Sequence, residues 1–146
     1  MVKSAACKAR PLPHREHRQL GSGDGRIPIA AAQKFGIRAV GIEIDPDLVE
    51  IALRQAKEGR VADKVYFIQG DIFQLDFSEA SVLTLYLFPD INLQLYPKLM
   101  ELAPGTRIVS HNYPIEGWEP EQTWLIEDSE GNEHKVFKWT VPKRQE

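Results

Sequence analysis

The stretch "GSGDGR", residues 21–26, places glycine at 21, 23 and 25 and follows it with Arg26. Glycines this close together, after a strand and before a helix, let backbone N–H groups approach an anionic or strongly polar ligand. Their spacing is G-x-G-x-G, whereas dinucleotide loops read G-x-G-x-x-G, so a dinucleotide fits poorly. Two acids downstream sharpen the reading. Glu43 ends an apolar run 22 residues beyond Gly21, where a carboxylate can accept both hydroxyls of a ribose. Asp71 ends the next such run in "QGDIF", where a carboxylate can accept an amino proton of adenine. Singly, each acid could cap a helix and the glycines could form a plain turn. In this order, at the ends of three successive strands, the three point to an adenosine-bearing ligand.

Such residues need a scaffold that brings strand ends together, and the chain supplies one. Residues 27–35, "IPIAAAQKF", predict a helix ending at Gly36, with Pro28 tolerable in the first turn. Residues 37–44, "IRAVGIEI", predict a strand. "DPDLVEIALRQAKEG" then predicts a helix capped by Asp45, with Pro46 at its first position and Leu48, Val49, Ala52, Leu53 and Ala56 as the buried stripe. Strands follow over 64–71, 80–88 and 106–113, with a helix over about 91–102 interrupted at Pro97. The tail predicts an antiparallel hairpin around "SEGN". This alternation is the pattern of an α/β sheet, whose ligands bind at the carboxyl ends of its strands.

Composition narrows the class. The chain has 146 residues, 42% hydrophobic and 27% charged, which suits one domain with a full core. No apolar run approaches the roughly 18 residues of a membrane span. The net charge of −3 gives no basic field, so no nucleic-acid partner is expected. Cys7 is the only cysteine, which fits a reducing cytoplasm and excludes an internal disulfide. With no cysteine near His14, His17 or His134, no metal site is expected.

Together these stretches resemble the class I S-adenosylmethionine-dependent methyltransferases, whose first motif is D-x-G-x-G-x-G. Within that superfamily, "LGSGDGRI", "AVGIEIDPDLVEIA", "LTLYLFP" and "PGTRIVSHNYPIEGWEP" look like the small protein-lysine methyltransferases of archaea and bacteria. Those are related to the mitochondrial lysine methyltransferases of an ATP synthase subunit and of the ADP/ATP carrier. The resemblance runs from about Leu20 to Val141. It implies a Rossmann-like methyltransferase sheet, mostly parallel with a C-terminal antiparallel hairpin, and S-adenosylmethionine as cofactor. Gly21, Ser22, Gly23 and Gly25 would wrap the methionine end. Glu43, with Ile44 beside it, would hold the ribose, Asp71 and Ile72 would frame the adenine, and Asp24 and Arg26 would position the loop.

The partner implied is a protein presenting lysine; a small amine is the alternative acceptor. An amine must attack in its neutral form, and an apolar aromatic mouth lowers an ammonium's pKa by penalising its charge. Tyr86 and Phe88 in "LYLFP" and Tyr113 after the fifth strand are candidates for that mouth, with Trp118 completing it. His111 is a candidate base. For each a structural role competes, since aromatics in an apolar strand are commonly core and a histidine at a strand end is commonly a hydrogen-bonded support. "LYLFP" also lacks the N-P-P-Y or D-P-P-Y of enzymes that methylate amino groups of bases.

One segment departs from the family. Gln19 stands where the family has an aspartate, and His14, Arg15, Glu16, His17 and Arg18 precede it. Burying unpaired charge costs several kcal/mol, so this segment is expected to form no normal first strand. Residues 1–19 are then an atypical, disordered leader to a methyltransferase domain over 20–146. A shifted reading frame or a divergent chain reduced to an inactive remnant would each produce it.

Overall fold

A computed structural model describes residues 16–143, which divide into two compact units at Val82 and Leu83. The first contains β1 (Glu16–Leu20), α1 (Arg26–Phe35), β2 (Arg38–Glu43), α2 (Pro46–Glu58) and β3 (Val65–Gln69). Its strands run parallel in the order β3-β2-β1. As expected, Gly36 caps α1 in the left-handed region, with φ 66°. Asp45 caps α2 by accepting the Asp47 N–H at 2.9 Å, and Pro46 opens it. Val49, Ala52 and Ala56 of the predicted stripe are buried, packing with Ile29 of α1 and Phe67 of β3, and Leu53 lies against them.

The first strand is the main correction. Glu16–Leu20 is strand, pairs in register with β2 and is buried at all five positions. Its charges are not unpaired: residues two apart on a strand share a face, and Glu16 and Arg18 therefore meet. Arg18 Nε donates to Glu16 Oε1 at 2.6 Å, Arg18 Nη1 donates to the Asp76 carbonyl at 3.1 Å, and Glu79 lies 3.7 Å from Nη2. Ser81 Oγ accepts the Glu16 N–H and donates to the Glu16 carbonyl. On the other face, burial pushes the His17 imidazole down to about 4, so it is neutral where it sits. His14, Arg15 and the rest of the expected leader before Glu16 lie outside the described residues.

The second unit holds β4 (Val82–Leu85) from Leu83 onward, α3 (Pro89–Met100), β5 (Arg107–His111), β6 (Gln122–Glu127) and β7 (Glu133–Thr140). Its strand order is β4-β5-β7-β6, with β7 antiparallel to both neighbours. The C-terminal hairpin is as expected, and the Asp128 carboxylate builds its turn by accepting the N–H groups of Glu130 and Asn132, each at 2.9 Å. The strand predicted over 80–88 is shorter: it stops at Leu85, releasing Tyr86, Leu87 and Phe88 before the helix at Pro89. Pro97 lies inside α3 without ending it.

Candidate active site

In the first unit, the loop between β1 and α1 is held to β2 by its own backbone. Gly21 and Ser22 both donate their N–H to the Ile42 carbonyl, at 2.9 and 3.0 Å. Gly23 N–H donates to Glu43 Oε1 at 2.8 Å, and Asp45 N–H donates to Oε2 at 3.2 Å. Gly70 N–H donates to the Glu43 carbonyl at 3.0 Å, joining the end of β3 to the end of β2. Glu43 thus links all three strand ends. Asp71 follows directly, its Oδ1 accepting the Phe73 N–H at 2.8 Å. Ile72 is half-buried and Ile44 is exposed.

The glycines are required for two different reasons. At Gly25, with φ 83°, a Cβ would lie 2.6 Å from the Phe67 ring and 2.9 Å from Ala52, so packing demands it. At Gly23, with φ 57°, a Cβ would meet nothing within 4 Å, so the backbone conformation demands it and the space beside it is open. Gly41, which the motif spacing did not single out, lets the loop lie against β2, because a Cβ there would lie 2.7 Å from Ser22. Asp24 and Arg26 pair with each other: Nη2 donates to Oδ2 at 2.8 Å and Nε to Oδ1 at 3.2 Å. That hydrogen bonding holds the Asp24 carboxyl below its usual range and raises the Arg26 guanidinium.

These residues fit a polar, adenosine-bearing ligand. Ser22 Oγ is buried with no hydrogen-bond partner, which is costly unless something else supplies one. Glu43 Oε1 and Oε2 accept the N–H groups of Gly23 and Asp45, and a carboxylate has lone pairs for more.

In the second unit, the four proposed mouth residues come together as two ring pairs. Tyr86 lies over His111 with centroids 4.3 Å apart, and Phe88 lies 5.9 Å from Tyr113. Tyr86 and Phe88 are 53% and 67% exposed, so they are not core side chains. Behind them, Asn112 adopts φ 68°, and Tyr113 N–H donates back to the His111 carbonyl at 2.9 Å. Buried Asn92 Nδ2 and Ser110 Oγ both donate to the Tyr113 carbonyl, at 3.2 and 2.6 Å. Trp118 is placed elsewhere: it stacks on Tyr96 at 5.5 Å and contacts buried Trp139, so it does not complete the mouth.

Sequence reasoning also missed what stands beside His111. Its Nε2 lies 2.7 Å from His134 Nδ1, and His134 Nε2 lies 2.8 Å from Asp128 Oδ2. Burial and the neighbouring His134 hold His111 below the ordinary imidazole range. The His134 hydrogen bond pulls Asp128 down to about 2. Only the pairing of β5 with β7, which sets His111 opposite Val136 and brings it to His134, exposes the set. Among the described residues, no group of three His, Cys, Asp or Glu could hold a metal ion, and no helix is long and apolar enough to cross a membrane.

Comparison with known proteins gives the family. The ANTKMT methyltransferase domain family matches residues 19–122. A protein-lysine N-methyltransferase of Saccharolobus islandicus (strain REY15A) is 41% identical over 124 residues, covering 84% of this chain and 76% of that protein. The adenine nucleotide translocase lysine N-methyltransferase of Mus musculus is 36% identical over 103 residues, which cover 69% of this chain and 44% of that protein. The chain thus spans less than half the length of that mammalian relative. The crystal structure of an RNA methyltransferase from Salinibacter ruber in complex with S-adenosyl-L-homocysteine matches with a TM-score of 0.82 and 45% identity, over 100% of this chain and 96% of that one. The chain belongs to the ANTKMT methyltransferase domain family, among the S-adenosylmethionine-dependent methyltransferases of Rossmann-like fold.

Proposed function

We propose that this chain transfers the methyl group of S-adenosylmethionine to the side-chain amine of lysine in a protein. The observation that carries the acceptor is the aromatic group at the ends of β4 and β5, where exposed Tyr86 and Phe88 lie against half-buried His111 and Tyr113. Aromatic faces attract an ammonium, and an apolar setting favours the neutral amine that must attack. The relative from Saccharolobus islandicus, itself named a protein-lysine N-methyltransferase, supports the same acceptor.

Bound cofactor supplies an activated sulfonium methyl, so the protein's own task is mainly alignment and exclusion of water. Gly21, Ser22, Gly23 and Gly25 hold its methionine end. Glu43, next to Ile44, takes the ribose hydroxyls, and Asp71 with Ile72 takes the adenine. Asp24 and Arg26 stiffen the loop by their mutual ion pair. The methyltransferase domain includes β1, from Glu16 onward, and works in the cytoplasm, where a chain with one cysteine needs no oxidising surroundings. The Salinibacter ruber neighbour is named for RNA, but a net charge of −3 is a poor match to a phosphate backbone.

Calorimetric titration with S-adenosylmethionine should show one site per chain; a folded sample that binds none would defeat the enzyme reading. Labelled cofactor should then mark lysine Nζ in a mixed protein extract. Label confined to RNA, or to small amines, would defeat the protein-lysine reading while leaving the cofactor site intact.

A further inference from the structure

Methyl transfer to lysine faces a protonation problem that the aromatic mouth solves only in part, because free lysine is overwhelmingly ammonium at neutral pH. Resting on the protein-lysine reading, the geometry points to His111, His134 and Asp128 as a proton relay that takes the proton from the incoming lysine ammonium. The three stand in line, 2.7 Å from His111 Nε2 to His134 Nδ1 and 2.8 Å from His134 Nε2 to Asp128 Oδ2. Tyr86 of the mouth lies over the His111 ring.

The order of groups sets the tautomers. Asp128, held ionised by His134 and by backbone N–H groups of its turn, is an acceptor, so His134 Nε2 carries a proton toward it. In the neutral pair His134 Nδ1 is then the acceptor, and His111 Nε2–H donates to it. This leaves the lone pair on His111 Nδ1. When the substrate Nζ–H bond breaks, its electron pair stays on Nζ and the proton joins His111 Nδ1. The His111 Nε2 proton passes to His134 Nδ1, and the resulting imidazolium is held against the Asp128 carboxylate. After the methylated lysine leaves, the shifts reverse and His111 Nδ1 gives its proton to water. His111 is thus the catalytic base, and His134 and Asp128 are positioning residues.

The surroundings favour this charge flow. By the strand alternation, Trp124 and Ile126 of β6 share the face of His134. Glu127 and Glu133 pair with each other one place along, and Lys135 lies opposite Leu125, all on the other face. Lys138 of β7 and Arg107 of β5 share the face of His134 as well, Lys138 diagonal to His111 with its Nζ 3.7 Å from Glu121 Oε2, so beside the Tyr86 ring the acid that receives positive charge from the pair is Asp128, hydrogen-bonded to His134. Burial and His134 hold His111 below its ordinary range, so it is unprotonated and ready at neutral pH.

Two measurements on the full chain test the relay. Long-range proton–nitrogen spectra of the nitrogen-15-labelled protein should show both imidazoles as Nε2–H tautomers in the neutral pair; an Nδ1–H form of His111 would overturn the relay without any acceptor being needed. Initial rates with S-adenosylmethionine and poly-L-lysine are then followed from pH 6.5 to 10. His111→Gln should lower kcat at pH 7 by roughly 10²-fold with little change in KM, and the deficit should close as bulk solvent deprotonates the amine. Asp128→Asn, which keeps a hydrogen-bond acceptor and loses the charge, should shift the rate profile toward higher pH. A purely supporting role predicts a loss independent of pH, and that result, or wild-type rates in both variants at pH 7, would overturn the relay alone. Failure of the wild type to methylate poly-L-lysine at any pH would overturn the lysine reading and the relay with it.

Discussion

Glu43 combines two tasks that are usually separate. Its carboxylate accepts the Gly23 and Asp45 N–H groups and so fixes the glycine loop, and in the proposed complex it also holds the ribose. Glu43→Ala should weaken S-adenosylmethionine binding by about 1–3 kcal/mol, read by calorimetry, through loss of charge-assisted hydrogen bonds. An unchanged affinity would mean that the ribose lies elsewhere. The candidate cofactor residues of the first unit could be named from the sequence because each stands at or just past the end of a short run before a turn, and such runs are read locally. Gly41 was not, since its reason is the approach of Ser22 from another loop. Nor were His134 and Asp128, which lie 23 and 17 residues from His111 along the chain: His134 meets it only through the pairing of β5 with β7, and Asp128 joins through His134.

Among the elements, β1 shows how far a strand can depart from apolar composition. Glu16 is 1% and Arg18 4% exposed, so each is tolerable only with the other present. Arg18→Met should destabilise the protein by about 3–5 kcal/mol in urea titrations by stranding a buried carboxylate. The double variant Glu16→Leu, Arg18→Met should recover most of that loss, and a double variant as unstable as the single would refute the pairing account. His17 acts in the same strand through pH. Its folded pKa of about 4 lies below the unfolded 6.5, so below pH 6.5 the unfolded chain takes a proton that the folded one refuses. Stability should therefore fall by roughly 2–3 kcal/mol as pH drops from 7 to 4.5. His17→Leu should reduce that acid loss; an equal loss in the variant would place its origin elsewhere.

For the whole molecule, charge governs which acceptors approach. A net −3 attracts lysine-rich chains over distances that salt shortens, from a screening length of about 30 Å at 0.01 M to about 8 Å at 0.15 M. Rates with poly-L-lysine should show kcat/KM falling by about two- to fivefold over that range while kcat stays level. A rise in kcat/KM with salt would show that the local field at the mouth opposes the global one.

What the sequence determined by itself was the α/β class, the helix caps at Asp45 and Gly36, the closing hairpin, and the glycine-rich turn at residues 21–25. Those features depend on neighbours within a few positions, where periodicity, caps and turn chemistry act. The tertiary structure alone decided that Glu16–Leu20 is a strand, that Tyr86 and Phe88 leave β4 for solvent while Trp118 packs against Tyr96 and Trp139, and that His111 stands in line with His134 and Asp128. In each case the free energy of a side chain is set by a partner that folding delivers: a counter-charge, a ring or a hydrogen-bond acceptor. Composition shows that such groups exist, and only the strand registers show which of them meet.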